Sequence, residues 1–453
     1  MNPTFNPRSL SSIINIEALE FALYNIENRH IPSIVDGLKP VQRFFLYSTL
    51  QNAKTAFNKV AAVAGRVSEY GYEHGESAAS DAGQLMANTW NNHVPIIKGR
   101  GNFGSRMVQE MAAPRYTHCM VHDNFNLLFK DSNLAPIHSK DEHLPPAFYL
   151  PIIPFVLLNG VKGIATGYAT HIIPHDPLDV TRCVVEYIEK GVITHEPKFK
   201  LPDFQGKLTV DEDNKLSIEG MYTFNGKTKL TITEIPYKYD REKYVEILDG
   251  LEEKGTIVRY EDNCGKDNFN FEVTLKRDFF LGQRADEHHE IFMKVFKLRQ
   301  SATQNLTVLD WDRKLRNYKK SSDLIKDFVD YRTPFVQKRI DNEIEVCNYK
   351  LKLANAKTEF IGSVIDETIV LKGKTRAKAI KEIEIHENLK EFSDQLISMN
   401  MYHMTNDEIV KLKKQTTEIK KQLSYWNKTT VKKEYLKDAT QVFVSLAEHQ
   451  IKK

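Results

Sequence analysis

Apolar residues recur at helical spacing in the first thirty positions. Ile13, Ile16, Leu19, Leu23 and Ile26 share one stripe, with Ser11 or Ser12 placed to cap it, so a helix is expected over residues 9–30. Asp36-Gly37-Leu38-Lys39-Pro40 reads as a turn, and Pro40 suits the first position of a second helix carrying Val41, Phe44, Phe45 and Leu46. A third helix is expected over Glu76–Trp90, with Ser77 as a cap near its start. Gly99, Gly101 and Gly104 follow, and then strands. Tandem helices, a glycine-rich stretch and strands are the order of a winged-helix DNA-binding unit.

Residues 150–310 change character. Prolines punctuate short strands such as Lys229–Thr233 and Phe269–Val273, and helices are expected near 178–190 and 240–254, giving an α+β segment. From about Ser321 the chain is helical and strongly charged. Ile340, Cys347, Ala354 and Ile361 recur every seven residues, with Val336, Ile344 and Leu351 on the neighbouring stripe. A second run, Ile409, Leu412, Thr416, Ile419, Leu423 and Trp426, follows a capping box at Thr405–Glu408. The pair suggests an antiparallel coiled coil with a small domain at its tip, although a plain helical bundle satisfies the same pattern. Met399, Met401 and Met404 near the tip suit either an adaptable contact surface or a local core.

Composition narrows the class without naming it. The 41% hydrophobic and 27% charged content of these 453 residues is that of an ordinary globular protein. No apolar run approaches the roughly 20 residues of a membrane span, and the N-terminus has no stretch of signal-peptide type. Cys119, Cys183, Cys264 and Cys347 are far apart without a C-x-x-C pair, which argues against a zinc site or disulfide framework and fits a reducing cytoplasm. A net charge of +3 does not by itself announce nucleic acid, so the placement of Lys and Arg has to decide.

Candidate chemistry concentrates in Gly99–Arg106 and Ala112–Thr117. A tyrosine that attacks a phosphodiester needs an exposed oxygen and balanced charge, because a free phenol titrates near pH ~10. Arg115, next to Tyr116, can set its guanidinium on phosphate oxygens as charge builds up, and glycine backbone upstream permits close approach to a phosphate chain. An Arg-Tyr pair alone carries no signal; most tyrosines pack or cap something.

The blocks around it do carry one. Ile31–Arg43, His74–Ala78, Gly101–Ser105 with Arg115-Tyr116, Asn159–Gly167 and Thr233–Tyr237 follow in order. From about residue 28 to 430 the chain resembles the A-type subunit of bacterial gyrase and topoisomerase IV and the equivalent half of eukaryotic topoisomerase II. The resemblance implies an α+β protein with an N-terminal arm (1–27), a winged-helix DNA cleavage domain (28–150), an α/β tower (151–315), and an antiparallel coiled coil ending in a dimer gate (316–453). It implies that Tyr116 is the nucleophile, leaving a 5′-phosphotyrosyl bond, that Arg115 holds the scissile phosphate, and that His74 lies near the cleavage site. Arg29, Lys39 and Arg43 match basic positions along the DNA path, and Ile164 matches an apolar wedge between base pairs. Ser77 and Asp81 match the attachment point of quinolone-type inhibitors. Gln42, Phe44 and Tyr72 depart from the bacterial pattern; Gln42 and Gly75-Glu76 lean toward the eukaryotic one. This mixture, with the short length, most resembles the branch of the family found in T-even bacteriophages.

No D-x-D plus glutamate set looks like the metal-binding module of that family, and no Walker A motif is present. The resemblance therefore implies that Mg²⁺ and ATP sit mainly on a partner subunit, that the chain works as a homodimer on double-stranded DNA in the cytoplasm (the host's, if phage-encoded), and that no metal site lies in this chain. No residues remain after the second heptad run for a DNA-wrapping domain, so relaxation or decatenation without gyrase-type supercoiling is expected. A non-enzymatic architectural DNA binder and a different tyrosine transesterase remain as alternative classes.

Overall fold

The structure, a computed structural model, describes residues 10–140, 142–210, 215–371, 373–400 and 404–452, without the side chains of residues 12 and 449–452. The chain divides into two compact units, Met1–Arg332 with Leu436–Lys453, and Thr333–Tyr435.

The first unit opens with an arm that is helical from Leu10 to His30 and contains two π-helical segments, Ile13–Ala18 and Ile26–His30. Its expected stripe forms, yet Ile13, Ile16, Leu19 and Leu23 face solvent and only Ile26 is buried, beside Ile31 and Leu309. Ser11 lies inside the helix and takes a hydrogen bond from the Asn15 amide instead of capping it. The side chain of Ser12 lies outside the described residues.

The Asp36–Pro40 turn is held by one carboxylate. Asp36 is fully buried and accepts from the Leu38 amide (3.0 Å), the Tyr149 amide (3.1 Å) and two guanidinium nitrogens of Arg43 (2.7 and 2.9 Å). Gly37 has φ +68°, and a Cβ there would lie 2.5 Å from the Val156 nitrogen, so the position requires glycine. The turn ends in helix α1 (Pro40–Asn52), with Pro40 at its first position as expected and Phe44, Phe45 and Leu46 buried.

Helices α2 (Val60–Gly65) and α3 (Glu76–Ala87) complete a three-helix set with α1. Strands β1 (Asn58–Lys59), β2 (Ile97–Arg100) and β3 (His118–Val121) make an antiparallel sheet in the order β1-β3-β2. Three helices and a small antiparallel sheet are the winged-helix composition expected. α3 stops three residues earlier than predicted: Asn88 turns extended (ψ 152°) and its side-chain oxygen accepts from the Asn91 amide, a local bond that competes with the helix. The residue ahead of α3 is Gly75, and no side chain caps it; Ser77 is an exposed residue of the first turn, not a cap.

Further along, β4 (Val161–Ile164) and β5 (Ala169–Ile172) pair as a hairpin, and α4 (Pro177–Lys190) is capped by Asp176. Strands β6 (Lys207–Val210) and β7 (Lys215–Glu219) join β12 (Arg299–Thr303) in the order β12-β7-β6, and β13 (Leu306–Leu309) pairs with β14 (Leu315–Tyr318). The largest sheet runs β10-β11-β9-β8, from β8 (Met221–Phe224), β9 (Lys229–Glu234), β10 (Ile257–Asp262) and β11 (Phe271–Leu275). Alternate residues Leu230, Ile232, Phe271 and Val273 point into a core shared with Tyr244 and Leu248 of α5 (Arg241–Glu253) and Phe292 of α6 (His288–Val295). β11 begins two residues later than predicted because Asn263 and Gly265 bond to Asn270 and Asn268, which puts 268–270 in the hairpin turn.

In the second unit, the heptad positions of α7 (Ser321–Ile365) are borne out: Ile340, Cys347, Ala354 and Ile361 are all buried. α8 (Asn406–Lys428) starts at Thr405, whose hydroxyl accepts from the Glu408 amide, and lines a common groove with α7. A local core of Phe360, Ile369, Ile383, Leu389, Phe392 and Leu396 lies between them in sequence, and Met399 and Met404 pack on it. Met401 lies outside the described residues. The last helix, α9 (Val431–Lys452), belongs to the first unit from Leu436 onward.

All four cysteines are free; Cys119, Cys183 and Cys347 are buried, and burial pushes the thiols of Cys119, Cys183 and Cys264 up to about 12. Among the described residues no helix is long and apolar enough to cross a membrane.

His175 is fully buried with Nε2 2.9 Å from the Ser321 hydroxyl, and burial lowers its pKa from 6.5 to about 4. Its folded pKa lies below the unfolded value, so the neutral ring stabilises the fold fully above pH 6.5, and stability falls as the pH drops toward 4. Urea titrations should show a loss of about 1.4 kcal/mol per pH unit in that window from this residue. A His175→Asn variant should have a shallower slope there; an unchanged slope would remove His175 as the cause.

Candidate functional site

Tyr116 sits in the turn that delivers the chain into β3. Its amide donates to the Ala113 carbonyl (2.9 Å), while the carbonyls of Pro114 and Thr117 accept from Ala61 (3.3 Å) and Val60 (3.0 Å) at the start of α2. The backbone on both sides is therefore fixed, yet the ring is 66% exposed. The Arg115 guanidinium lies 4.8 Å from the ring centroid. An immobile turn thus presents a free phenol beside a permanent cation, an arrangement suited to a phosphate.

α3 supports the same turn from below. The Gln84 amide nitrogen donates to the Ala112 carbonyl (2.7 Å) and approaches the Thr117 hydroxyl (3.2 Å). Gln84 is 2% exposed, and sequence reasoning missed it. The signal was present: a glutamine among the small and apolar residues of a helix face has to find partners when buried.

The loop before the turn is anchored elsewhere. Arg106 is buried and donates to the Glu234 carboxylate (3.1 Å) and to the carbonyls of Ile235 (3.1 Å), Tyr237 (3.2 Å) and Tyr239 (3.0 Å). Its guanidinium carbon is 4.7 Å from the Tyr237 ring centroid. Met107 enters the core of the large sheet, its carbonyl accepting from the Arg241 amide (3.0 Å). Burial raises the Glu234 carboxyl pKa against the opposing pull of the Gln205 amide and Arg106. The stretch between Gly101 and Tyr116 is thus stapled both to α3 and to the β8–β11 sheet.

The other predicted residues form a second cluster. His74 stands two residues before α3, with Nε2 3.0 Å from the Tyr24 hydroxyl of the arm and its ring edge-on to Tyr72. Burial, then Arg29, holds the imidazole below its ordinary pKa, with Glu73 opposing, so the fold favours the neutral ring of His74. His30 is lowered first by burial and then by Lys39, Arg29 and His74, which places these four groups within electrostatic reach of one another. Lys39 donates to the Lys162 carbonyl (2.7 Å), two residues from Ile164. His30 was not foreseen, because it gains a role only from its neighbours.

Ile164 ends β4 at the tip of the hairpin, 70% exposed; the turn closes through the Ala165 amide and Tyr168 carbonyl at 2.8 Å. A core position, the spacing-only reading, is excluded. The hairpin is seated on the arm, since a Cβ at Gly163 would lie 2.1 Å from the His30 carbonyl oxygen. Ser77 and Asp81 are exposed and one turn apart on α3. Arg43 departs from its expectation: the residue is 8% exposed and its guanidinium is engaged with Asp36, so it braces the turn from inside the fold. Among the described residues no group of three or more His, Cys, Asp and Glu side chains is placed to hold a metal ion.

Removing the guanidinium from the Arg106–Glu234 pair leaves a buried carboxylate uncompensated. Arg106→Met should cost about 3–5 kcal/mol in urea denaturation, and Glu234→Gln on top of it should recover part of the loss. A single-variant cost below about 1 kcal/mol would show that the clamp does not hold the loop.

Comparison with known proteins gives this geometry its context. Residues 29–442 match the family described as the A subunit of DNA gyrase/topoisomerase IV. The DNA topoisomerase medium subunit of Enterobacteria phage T4 is 47% identical over 441 residues, covering 96% of this chain and 99% of that protein. DNA topoisomerase 2 of Plasmodium falciparum is 27% identical, covering 96% of this chain but only 34% of its own length. The crystal structure of the Plasmodium falciparum topoisomerase II DNA-binding, cleavage and re-ligation domain superposes with a TM-score of 0.87 at 25% identity, over 97% of this chain and 64% of that one. The fixed turn bearing Tyr116, the cationic cluster and the exposed hairpin are therefore parts of a topoisomerase scaffold, and the chain belongs to the DNA gyrase/topoisomerase IV A-subunit family of type II topoisomerases.

Proposed function

We propose that this chain is the breakage-reunion subunit of an ATP-dependent type II topoisomerase, acting as a homodimer on double-stranded DNA together with a partner that carries ATP and Mg²⁺. The observation that carries the reading is the exposed Tyr116 phenol on an immobile turn beside Arg115. In the reaction, the Tyr116 oxygen attacks the scissile phosphorus and the bond to the 3′-oxygen breaks. The 3′-oxygen departs as a hydroxyl with the proton lost by the phenol, and the 5′-phosphate stays on Tyr116. One phosphodiester replaces another, so the 3′-hydroxyl can reverse the step without further energy input. Arg115 places its guanidinium on the non-bridging oxygens. His74, favoured in its neutral form, supplies a hydrogen-bonding ring next to the cations Arg29 and Lys39.

Ile164 acts as the wedge. An apolar side chain at a hairpin tip, with Lys39 bound two residues away, can unstack a base step while cations follow the bent backbone. Mg²⁺ and ATP are used generally in this family, and this reading assigns both to the partner. One tyrosine cuts one strand, so a double-strand break takes two copies of the chain. The exposed apolar side chains of the arm support contact with another chain. Relaxation and decatenation without net supercoiling complete the reading; the phage T4 relative, matched over 99% of its length, is named a DNA topoisomerase medium subunit. The Ser77–Asp81 pair on α3 is the candidate inhibitor site; Ser77→Leu should relieve quinolone-stabilised cleavage if that site is inherited.

Three substitutions separate the roles. Tyr116→Phe should abolish covalent complexes and keep duplex affinity within about twofold, since the phosphate contacts remain. Arg115→Ala should slow cleavage on the order of 10²-fold, and Ile164→Ala should reduce both cleavage and the bend read by fluorescence transfer on a labelled duplex. Mapping which DNA end carries the trapped peptide decides the chemistry: a 3′ attachment identifies a different transesterase, and no attachment an architectural binder.

Reconstitution tests the division of labour. The chain alone should bind DNA without changing its topology, and with its partner and ATP it should relax and unlink plasmids. Negatively supercoiled product from relaxed circles, seen on a gel, would place a wrapping function in the complex and refute that part of the reading.

A further inference from the structure

The charge of the chain is not evenly spread. Over the whole sequence the balance is only +3, yet residues 411–433 hold eight lysines against one acid, Glu418. Most of this excess lies on α8. Its apolar residues Leu412, Thr416, Ile419 and Leu423 form one stripe, and Leu412 is buried. At about 100° per residue, Lys413, Lys414, Lys420, Lys421 and Lys428 fall within an arc of about 120° on the opposite side, an arc without an acidic residue. All five are exposed. Lys421 meets Glu418 at 3.3 Å, and the other four have no ion-pair partner among the described residues. Lys350 and Lys357 of α7 add to the same field across the groove that Lys414 borders.

A solvated coiled-coil face usually alternates its charges, because Glu and Lys one turn apart stabilise the helix while like charges oppose it. A face of five ammonium groups with one acid beside it works against helix stability. We infer that the lysine stripe of α8 is a contact surface for a second DNA duplex, in addition to the one engaged at Tyr116. This inference rests on the proposed DNA-handling function. Rigidity suits such a surface. From Lys413 to Lys428 the helix rises about 22 Å, a row of charges commensurate with part of one duplex turn. The stripe contains lysine and no arginine, point charges rather than bidentate forks. The Tyr425 ring at its edge is committed through its hydroxyl to Glu434, 2.5 Å away. Such a surface tracks phosphates without reading sequence, which is what a duplex in transit requires.

The test uses the full-length chain already saturated with a short unlabelled duplex, onto which a labelled duplex of about 40 base pairs is titrated between roughly 50 and 200 mM salt. Replacing the five lysines by Gln, whose helix propensity is similar, should weaken the second duplex at least tenfold near 100 mM salt and flatten the logarithmic salt slope by about 3–4. Replacing them by Arg should keep both. Covalent cleavage of the short duplex, assayed after adding the partner that carries Mg²⁺ and ATP, should be unchanged in either variant. Equal affinity and slope in the Gln variant would overturn the inference and leave a solvated face or a site for an acidic protein segment. An equal loss in the Arg variant would overturn it too, by removing charge as the cause. If the wild-type chain fails to bind the first duplex, the proposed function fails as well; if only the second is indifferent to the stripe, this inference fails alone.

Discussion

The buried carboxylate of Asp36 organises the first unit. With four donors converging on it, this charge is fully satisfied inside the fold. The groups it binds come from separate parts of the chain: the Leu38 amide of its own turn, Arg43 on α1, and the Tyr149 amide far along the sequence. Loss of any one partner would leave a charge in low dielectric, so the turn has one accessible shape. That shape sets Lys39 at the head of α1 with its ammonium on the Lys162 carbonyl, and so fixes the distance between the cationic cluster and the hairpin carrying Ile164.

A second constraint joins the tyrosine turn to its surroundings. Gln84 grips one end of the loop from a helix, and Arg106, inside the loop, ties the other to Glu234 of the large sheet. The loop has little regular structure of its own, and these two buried polar side chains reinforce the backbone bonds that order it. Leaving a buried polar group without its partner costs more than making the bond gains, so both side chains help to hold the sixteen-residue segment from Gly101 to Tyr116 in register.

Local pattern carried much of this fold. Pro40 at the start of α1, the Thr405 cap of α8, and the burial of Ile340, Cys347, Ala354 and Ile361 follow from spacing that any helix must obey. Where pattern failed, a side chain competed with the backbone or a partner was missing. Asn88 ended α3 early, and the arm kept helical spacing while leaving Leu19 and Leu23 in solvent. In the site, Tyr116, Arg115, His74 and Ile164 were legible as blocks of a familiar pattern. Gln84, Arg106 and His30 were not, because their importance lies in partners far along the chain, as in the Arg106–Glu234 bond spanning 128 positions. Arg43 was legible as a basic residue in the right motif, but only the geometry separates a guanidinium facing DNA from one facing Asp36.

The protonated, mostly buried thiols have a practical consequence for labelling chemistry. Alkylating reagents and maleimide dyes attack the thiolate, and Cys119, Cys183 and Cys264 stay protonated far above neutral pH while Cys347 is buried. The protein behaves toward such reagents almost as a cysteine-free chain. A single new cysteine on an exposed position of the hairpin or of α8 would therefore take a dye or spin label selectively, without first replacing the four native cysteines.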